Sequence, residues 1–172
     1  MSEKPTIGFI GVGFMGHGMA ANILKNGYPL IIKGNQNRTP IDDLVKKGAV
    51  EAESIATLMK SADIIHLCLA NSDQVETVLE GPGGIIENAK TGVIVIDTST
   101  SDPESSLRMS KALKQVGIEF VDAPLGRTPK EAALGTLDAL VGADDHIFET
   151  VKPIIGSWSA TATHLGPFQK YT

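Results

Sequence analysis

The chain has 172 residues, of which 42% are hydrophobic and 20% are charged, and its mean hydropathy is +0.06. This balance is typical of one soluble globular domain and excludes a disordered, collagen-like or mucin-like chain. Lys and Arg total 15 residues against 20 Asp and Glu, which gives a net charge of −5. No nucleic-acid partner is therefore expected.

The number of cysteines and the length of the apolar runs indicate the cellular compartment of the protein. Cys68 is the only cysteine, which excludes an internal disulfide, favours a reducing compartment and suggests an inert core thiol. Residues 1–5 do not have the shape of a signal peptide. The apolar run at 64–70 is far shorter than the roughly 20 residues of a membrane span. We therefore expect a cytoplasmic protein without a membrane partner.

Short apolar runs that predict strands alternate with segments of helical periodicity. The predicted strands lie at residues 6–10, 30–32, 63–69, 93–97 and 118–121, followed by less regular strands at 136–141 and 161–165. The predicted helices lie at 14–26, 41–47, 54–60, 72–79, 103–116 and 144–155, with a polar loop at 34–40. Ser54, Ser72 and Ser101 are the expected helix caps. This alternation predicts a Rossmann-type, doubly wound α/β fold with a mostly parallel sheet, formed as a single domain by residues 1–165.

A glycine-rich sequence, G-x-G-x-x-G, follows the first predicted strand and opens the first predicted helix. It consists of Gly11, Val12, Gly13, Phe14, Met15 and Gly16. In a dinucleotide-binding turn the first glycine allows the tight turn, the second lets a pyrophosphate approach the backbone, and the third lets helix pack on strand. The N–H groups and dipole at the helix start then favour an anion. We predict that these six residues bind a dinucleotide; the alternative is a structural turn without a ligand.

The end of the second predicted strand bears on the choice of cofactor. Proteins that prefer NAD usually place Asp or Glu there to bind the ribose 2′-hydroxyl. No acid occurs at residues 33–35, and Asn37, Arg38 and Thr39 follow instead. A guanidinium and a hydroxyl suit a 2′-phosphate, so NADP(H) is favoured, with NAD(H) as the second candidate. The alternative is that Arg38 is a hydrated loop residue.

The ends of later strands are expected to complete the cofactor cleft, because ligands of such sheets bind beyond the carboxyl ends of the strands. Leu69, Ala70 and Asn71 lie at the end of the third predicted strand, and Thr98, Ser99 and Thr100 follow the fourth. Their amides and hydroxyls are candidates to contact the ribose and nicotinamide, or alternatively to cap the following helices. His66 is expected to be a neutral core histidine with its hydrogen bonds satisfied. Histidine and cysteine spacing predicts no metal site.

Three segments resemble the beta-hydroxyacid dehydrogenases, the relatives of 3-hydroxyisobutyrate dehydrogenase and 6-phosphogluconate dehydrogenase. They are GFIGVGFMGHGMAANI at 8–23, the loop Asn37-Arg38-Thr39, and DAPLGRT at 122–128 with GTL at 135–137 and VG at 141–142. The resemblance implies reversible hydride transfer between NAD(P) and a short beta-hydroxy acid or its aldehyde, and a full-length protein that is a homo-oligomer. It also implies a substrate loop formed by Gly126, Arg127 and Thr128. The cofactor contacts it implies are Gly11, Phe14, Met15, Asn37, Arg38, Thr39, Leu69, Ala70 and Thr98.

The substrate loop departs from the family's common pattern. Gly126, Arg127 and Thr128 stand where the family usually has Ser-Gly-Gly, and they are similar to the loop of the sulfolactaldehyde reductases. An arginine here offers a charge-assisted fork for a carboxylate, sulfonate or phosphate, so a more strongly anionic substrate is expected. Alternatively, Arg127 pairs with a nearby acid such as Asp122 or Glu131. The loop after the second strand is also longer than the family's usual spacing, which leaves the placement of its arginine open.

The family's general acid/base is a lysine in a K-x-x-x-N arrangement at the start of a helical domain. Residues 166–167 resemble the segment before it, but Lys170 is too close and no asparagine follows, so we identify no catalytic residue. Residues 166–172 are expected to begin a helical domain that is absent here. An exposed apolar patch is then expected near the last strand and Trp158. The alternative to a dehydrogenase is a non-catalytic nucleotide-binding module with a protein partner.

Overall fold

The computed structural model describes residues 4–167, and nine strands and seven helices lie within that range. The strands are β1 (Ile7–Ile10), β2 (Leu30–Lys33), β3 (Val50–Ala52), β4 (Ile64–Leu67), β5 (Ile94–Asp97), β6 (Glu119–Asp122), β7 (Leu125–Gly126), β8 (Leu137–Gly142) and β9 (Ser159–Gly166). The helices are α1 (Phe14–Lys25), α2 (Arg38–Lys46), α3 (Ile55–Ser61), α4 (Ser72–Glu80), α5 (Pro103–Gln115), α6 (Pro129–Leu134) and α7 (Asp145–Trp158). None of these helices is long and apolar enough to cross a membrane.

The strands form one sheet in the order β3-β2-β1-β4-β5-β6-β8-β7, with β9 paired to β8. The pairs from β3 to β6 are parallel, whereas β8 runs antiparallel to β6 and β7 and parallel to β9. Every residue of β1, β4 and β5 is buried, as expected for parallel strands covered on both faces. The predicted Rossmann-type, doubly wound and mostly parallel fold is confirmed.

Two apolar cores cover the faces of the sheet. One lies under α1, α2, α6 and α7 and includes Phe9, Met19 and Trp158. The other lies under α3, α4 and α5 and includes Leu79 and Leu113. The two helix layers leave the carboxyl ends of the parallel strands uncovered between them, which is where ligands bind in such sheets.

Three elements are absent from the prediction: β3, β7 and α6. Strand β3 has three residues and β7 has two, which is too short for an alternating pattern to be recognised. Helix α6 follows Thr128, begins with Pro129 and has Glu131 in its first turn. This is the sequence of a capping box with proline at the first helical position, so the signal for α6 is present in the chain.

Side-chain caps set the starts of the next helices. Helix α2 begins at Arg38, inside the predicted loop, because the Asn37 side chain accepts a hydrogen bond from the Thr39 N–H at 3.1 Å. Helix α3 has the expected cap, since the Ser54 hydroxyl accepts from the Thr57 N–H at 3.1 Å.

The other two expected caps are wrong. Asn71 caps α4 and Asp102 caps α5, in place of Ser72 and Ser101. The Ser72 hydroxyl instead accepts from the Asp102 N–H at 2.7 Å, which links the two helix starts. The Ser101 hydroxyl donates to Asp97 at 3.3 Å.

Trp158 ends α7 inside the core. Its side chain is fully buried, and its ring is in T-shaped contact with the His66 ring, with 5.5 Å between centroids. The expected exposed patch around Trp158 is therefore wrong, because the indole packs under the sheet. The large apolar side chains that are exposed in the described part of the chain are Phe14, Val45, Val50, Leu134 and Leu140.

Candidate functional site

The turn between β1 and α1 has the geometry of a phosphate-binding turn. Gly11 has a φ of 102°, and a Cβ there would lie 2.2 Å from the Cys68 carbonyl oxygen. A Cβ on Gly16 would lie 1.9 Å from the Gly11 carbonyl oxygen, whereas a Cβ on Gly13 would meet nothing within 4 Å. The outer glycines let the turn close, and Gly13 leaves its outer side open for a ligand.

The start of α1 offers hydrogen-bond donors on this open side. Gly13 has no side chain to cap the helix, and the first turn carries no acidic residue. The first backbone N–H groups and the positive end of the helix dipole are therefore not neutralised by a carboxylate. A pyrophosphate fits here, because its oxygens accept hydrogen bonds from such groups.

A cleft of about 530 Å³, called the first cleft below, opens beside this turn. It is lined by Gly11, Val12, Gly13, Phe14, Met15, Gly16, Asn35, Gln36, Asn37, Pro40, Ile41, Cys68, Leu69, Ala70 and Gln74. The structure thus brings the whole glycine-rich turn together with Asn37, Leu69 and Ala70. Their role in cofactor binding remains a prediction.

Arg38 and Thr39 do not line the first cleft. The Arg38 guanidinium donates to both carboxylate oxygens of Glu51, at 2.7 and 2.9 Å, and to Asp42 at 2.9 Å. These two carboxylates raise the pKa of Arg38 above its ordinary value, Glu51 most strongly. Thr39 lines a neighbouring depression beside His17. Arg38 is therefore ion-paired, and neither free in the cleft nor simply hydrated.

Hydrogen bonds tie the ends of β4 and β5 together. The buried Thr98 hydroxyl donates to the Leu67 carbonyl at 2.7 Å, and the Ser99 hydroxyl accepts from the Leu69 N–H at 2.9 Å. Asn71 uses its side-chain oxygen to cap α4, the alternative that the sequence left open. Thr98 lies outside the first cleft and lines a second one.

This second cleft has a volume of about 590 Å³ and lies at the ends of β5 and β6. It is lined by Met15, Cys68, Leu69, Thr98, Ser99, Thr100, Ser101, Pro103, Ser106, Asp122, Pro124, Leu125, Arg127, Leu140, Gly142 and Leu165. Met15, Cys68 and Leu69 line both clefts. A molecule that fills the first cleft can therefore extend past these three side chains into the second.

The loop after β7 holds Arg127 in a conformation that usually requires glycine. Within residues 4–167, Arg127 is the one non-glycine residue with a positive φ, 83°. Such a backbone costs about 1 kcal/mol or more, and it suits the glycine that the resemblance places at this position. The guanidinium donates to Asp138 at 2.6 and 3.2 Å. Arg127 therefore pairs with Asp138, and not with Asp122 or Glu131.

The neighbours of Arg127 are fixed by local structure. Gly126 pairs with Asp138 in the β7–β8 ladder. The Thr128 N–H and hydroxyl both donate to the Glu131 carboxylate at the start of α6. Of the three predicted substrate-loop residues, only Arg127 lines the second cleft.

Two carboxyl groups stand side by side at the ends of β5 and β6. Asp97 and Asp122 are register partners, and Asp97, only 1% exposed, accepts hydrogen bonds from the Ser99 N–H and the Ser101 hydroxyl. Burial raises the pKa of Asp97. Burial, and to a lesser degree the charge of Asp97, raise the pKa of Asp122 to about 7. The second cleft therefore contains a carboxyl group that exchanges its proton near neutral pH.

We expect Asp122→Asn to stabilise the protein, and by more at about pH 8 than at about pH 5. The pKa of Asp122 is about 7 in the folded chain, against an ordinary value of 3.8. Between these two pH values the folded chain keeps a proton that the unfolded chain has released, so the folded state loses stability as pH rises. Asparagine does not ionise, so its advantage should grow by about 1–2 kcal/mol over that interval. Urea unfolding at the two pH values measures it.

Glu53→Gln is the matched control for that experiment. Glu53 is exposed, and its replacement removes the same charge from the surface. The control should show a stability difference that is equal at both pH values. An Asp122→Asn difference that does not grow with pH would contradict the expectation.

Several cleft residues lie outside the predicted set. They are Asn35, Gln36, Pro40, Ile41, Cys68, Gln74, Ser101 and Asp122, whereas the expected Ser99 and Thr100 line the second cleft with Thr98. Most follow a parallel strand or open the next helix, so the rule that indicated Leu69 and Thr98 also covers them. Burial raises the pKa of the Cys68 thiol to about 11, in keeping with an inert thiol, but its sulfur-bearing side chain borders both clefts.

Two predictions concern other chemistry. Within residues 4–167, no three His, Cys, Asp or Glu side chains are grouped closely enough to hold a metal ion. Lys170, for which no catalytic role is expected, lies outside the described residues, as do residues 168–172 as a whole.

Comparison with known proteins agrees with this geometry. The family model described as the NAD binding domain of 6-phosphogluconate dehydrogenase matches residues 6–166. The chain belongs to the beta-hydroxyacid dehydrogenase family. The matched range contains the glycine-rich turn, both clefts and the loop at residues 126–128.

Individual relatives give the same picture. The 2-(hydroxymethyl)glutarate dehydrogenase of Eubacterium barkeri is 36% identical over 166 residues, which are 96% of this chain and 55% of that protein. The mitochondrial 3-hydroxyisobutyrate dehydrogenase of Rattus norvegicus is 33% identical over 170 residues, 96% of this chain and 49% of that protein. The solved structure of Psf3 in complex with NADP+ and 2-OPP has a TM-score of 0.89 at 30% identity, over 95% of this chain and 58% of that one. The chain spans about half the length of the curated relatives it matches.

Proposed function

We propose that the chain binds NADP(H), and less tightly NAD(H), and that the whole protein transfers hydride reversibly between this cofactor and a short beta-hydroxy acid or its aldehyde. The wall of Met15, Cys68 and Leu69 that the two clefts share carries the proposal. Gly13 would hold the pyrophosphate of a dinucleotide, and Met15, Cys68 and Leu69 would then lie between that group and the second cleft, where the nicotinamide would supply or accept hydride. The two curated relatives named above are dehydrogenases, and they lend no support to a non-catalytic module with a protein partner.

In this reaction the residues of the chain bind and orient the cofactor and the substrate. A bound nicotinamide cofactor supplies or accepts the hydride. The N–H groups at the start of α1 hold the pyrophosphate, and the apolar side chains of Met15 and Leu69 exclude water where the clefts meet. The hydrogen bonds of Thr98 and Ser99 keep the ends of β4 and β5 in place beneath that junction.

The substrate proposed for the second cleft is a small anionic hydroxy acid or aldehyde. Arg127 has five N–H donors, and its hydrogen bonds to Asp138 occupy Nε and Nη2. The Nη1 group is left for a carboxylate, sulfonate or phosphate of the substrate. The side chain is 46% exposed, so an anion entering the cleft can reach it.

The remaining parts of the proposal concern the whole protein. We propose that residues 1–165 form the NAD(P)-binding domain and that residues 166–172 lead into a helical domain. That domain would supply the lysine for proton transfer and the contacts of a homo-oligomer. A cytoplasmic location is proposed from the single cysteine, with no nucleic-acid or membrane partner.

Calorimetric titration of the chain with NADPH and NADH tests the cofactor. We expect tighter binding of NADPH, and we expect Arg38→Ala to reduce that preference about fivefold, because the variant lacks the cation for the 2′-phosphate. Arg108→Ala is the matched control, since Arg108 is equally exposed and pairs with two carboxylates of α4. It should leave the preference unchanged. Binding of neither dinucleotide by the folded chain would contradict the proposed function.

A further inference from the structure

The end of β2 has no acidic residue of its own, yet a carboxylate lies there. Gly34 follows β2 directly, and a Cβ on it would lie 2.4 Å from Oε1 of Glu51. Glu51 is the central residue of β3 and stands opposite Ile32 in the parallel ladder. The Glu51 carboxylate therefore occupies the space of a side chain at residue 34. In dinucleotide-binding sheets this is where an acid from β2 binds the ribose hydroxyls.

The same carboxylate holds the cation that suits a 2′-phosphate. Both oxygens of Glu51 accept hydrogen bonds from Arg38, at 2.7 and 2.9 Å, in the two-pronged geometry of a strong ion pair. The Arg38 guanidinium keeps the pKa of Glu51 below its ordinary value, so this carboxylate is ionised at neutral pH. Asp42 binds one nitrogen of the guanidinium from within α2. Arg38, Glu51 and Asp42 together carry one net negative charge.

We propose that Glu51 is a specificity-determining residue: it takes the place of the missing β2 acid, and it competes with a 2′-phosphate for Arg38. The inference rests on the proposed function, because it concerns which form of the nicotinamide cofactor the first cleft prefers. A 2′-phosphate has to draw Arg38 from Glu51 and lie beside the carboxylate that remains. A 2′-hydroxyl does not have to displace Arg38 and is not repelled by the Glu51 carboxylate, to which it can donate a hydrogen bond.

This role explains how one loop can accept both cofactors. Arg38 is the first residue of α2, its side chain is 53% exposed, and it directly follows Asn37, which lines the first cleft. With Glu51 in place, the preference for NADPH over NADH is smaller than Arg38 alone would produce. Removing the Glu51 charge should therefore increase the preference for NADPH over NADH.

The test is Glu51→Gln, which keeps the size of the side chain and removes its charge. Calorimetry with NADPH and NADH gives the ratio of the two dissociation constants, and we expect this ratio to shift toward NADPH about fivefold. Titration with 2′,5′-ADP and 5′-AMP repeats the comparison on the adenosine ends alone. Glu53→Gln, two residues along the chain and exposed, makes the same change in net charge and should leave both ratios unchanged. Glu51→Ala provides a second neutral variant if the glutamine variant does not fold.

The outcomes separate this inference from the proposed function. A shift in Glu51→Gln that is absent in Glu53→Gln supports the role of Glu51. Wild-type binding of a dinucleotide with an unchanged ratio in Glu51→Gln, or an equal shift in Glu53→Gln, overturns that role and leaves the proposed function standing. Absence of binding to both dinucleotides by the folded wild-type chain overturns both.

Discussion

Gly13→Ala is expected to weaken dinucleotide binding about tenfold to a hundredfold while the protein stays folded. A Cβ at residue 13 meets no protein atom within 4 Å, so the fold has room for it. The proposed function places a bound pyrophosphate in the same open space at the start of α1, where a methyl group would hold the phosphate away from the backbone N–H groups. Titration with NADPH, together with urea unfolding of the free chain, measures the two effects.

Gly16→Ala makes the same chemical change in the same turn and is expected to give the opposite pattern. Its Cβ would lie 1.9 Å from the Gly11 carbonyl oxygen, so β1 and α1 have to move apart. We expect a loss of about 1–3 kcal/mol in the free energy of unfolding, as for other overpacked positions. Equal losses of stability in Gly13→Ala and Gly16→Ala would show that Gly13 is a structural residue rather than part of the phosphate site.

The glycine-rich turn was predictable because its signals are local. The spacing of Gly11, Gly13 and Gly16 lies between a strand and a helix that apolar periodicity alone indicates. The parallel sheet follows from the alternation of such strands and helices, and the structure confirms it. The rule that ligands bind at the carboxyl ends of strands indicates Leu69 and Thr98, and both side chains line a cleft.

The partners of the two arginines were not predictable in this way. Glu51 lies on a strand of three residues without a pattern, and it reaches Arg38 only because β3 pairs with β2. Asp138 meets Arg127 through the β7–β8 ladder, and β7 has only two residues. Pairings across such short strands depend on the register of the whole sheet, which no local sequence signal contains.

The surroundings of His66 in the core were also only partly predictable from the sequence. Its position in an apolar strand indicated a buried neutral ring, and the side chain is fully buried, with its ring stacked on Phe9 at 4.5 Å between centroids. The expectation that its hydrogen bonds are satisfied is wrong. Neither ring nitrogen has a hydrogen-bond partner among the described residues, and the ring is instead stacked on Phe9 and in T-shaped contact with Trp158.

This arrangement predicts that His66→Phe reduces the sensitivity of the protein to mild acid. Burial lowers the pKa of His66 from 6.5 to about 3, and a weak contact with the Leu67 backbone opposes this only in part. Since the unfolded chain takes up a proton near its ordinary pKa and the folded chain does not, stability is lost as pH falls from 6.5 toward 3. This single group should cost the wild type about 2 kcal/mol between about pH 7.5 and about pH 5.

Phenylalanine keeps an aromatic ring against Phe9, carries no proton and leaves no unpaired nitrogen in the core. Urea unfolding at the two pH values should therefore show a smaller loss for His66→Phe than for the wild type, by about 2 kcal/mol. His146→Gln, at an exposed position of α7, also removes one histidine and should retain the wild-type loss. If both variants lost the same stability on acidification, the acid sensitivity would come from groups other than His66. The His66 ring would then have to be hydrogen-bonded or protonated in the folded state.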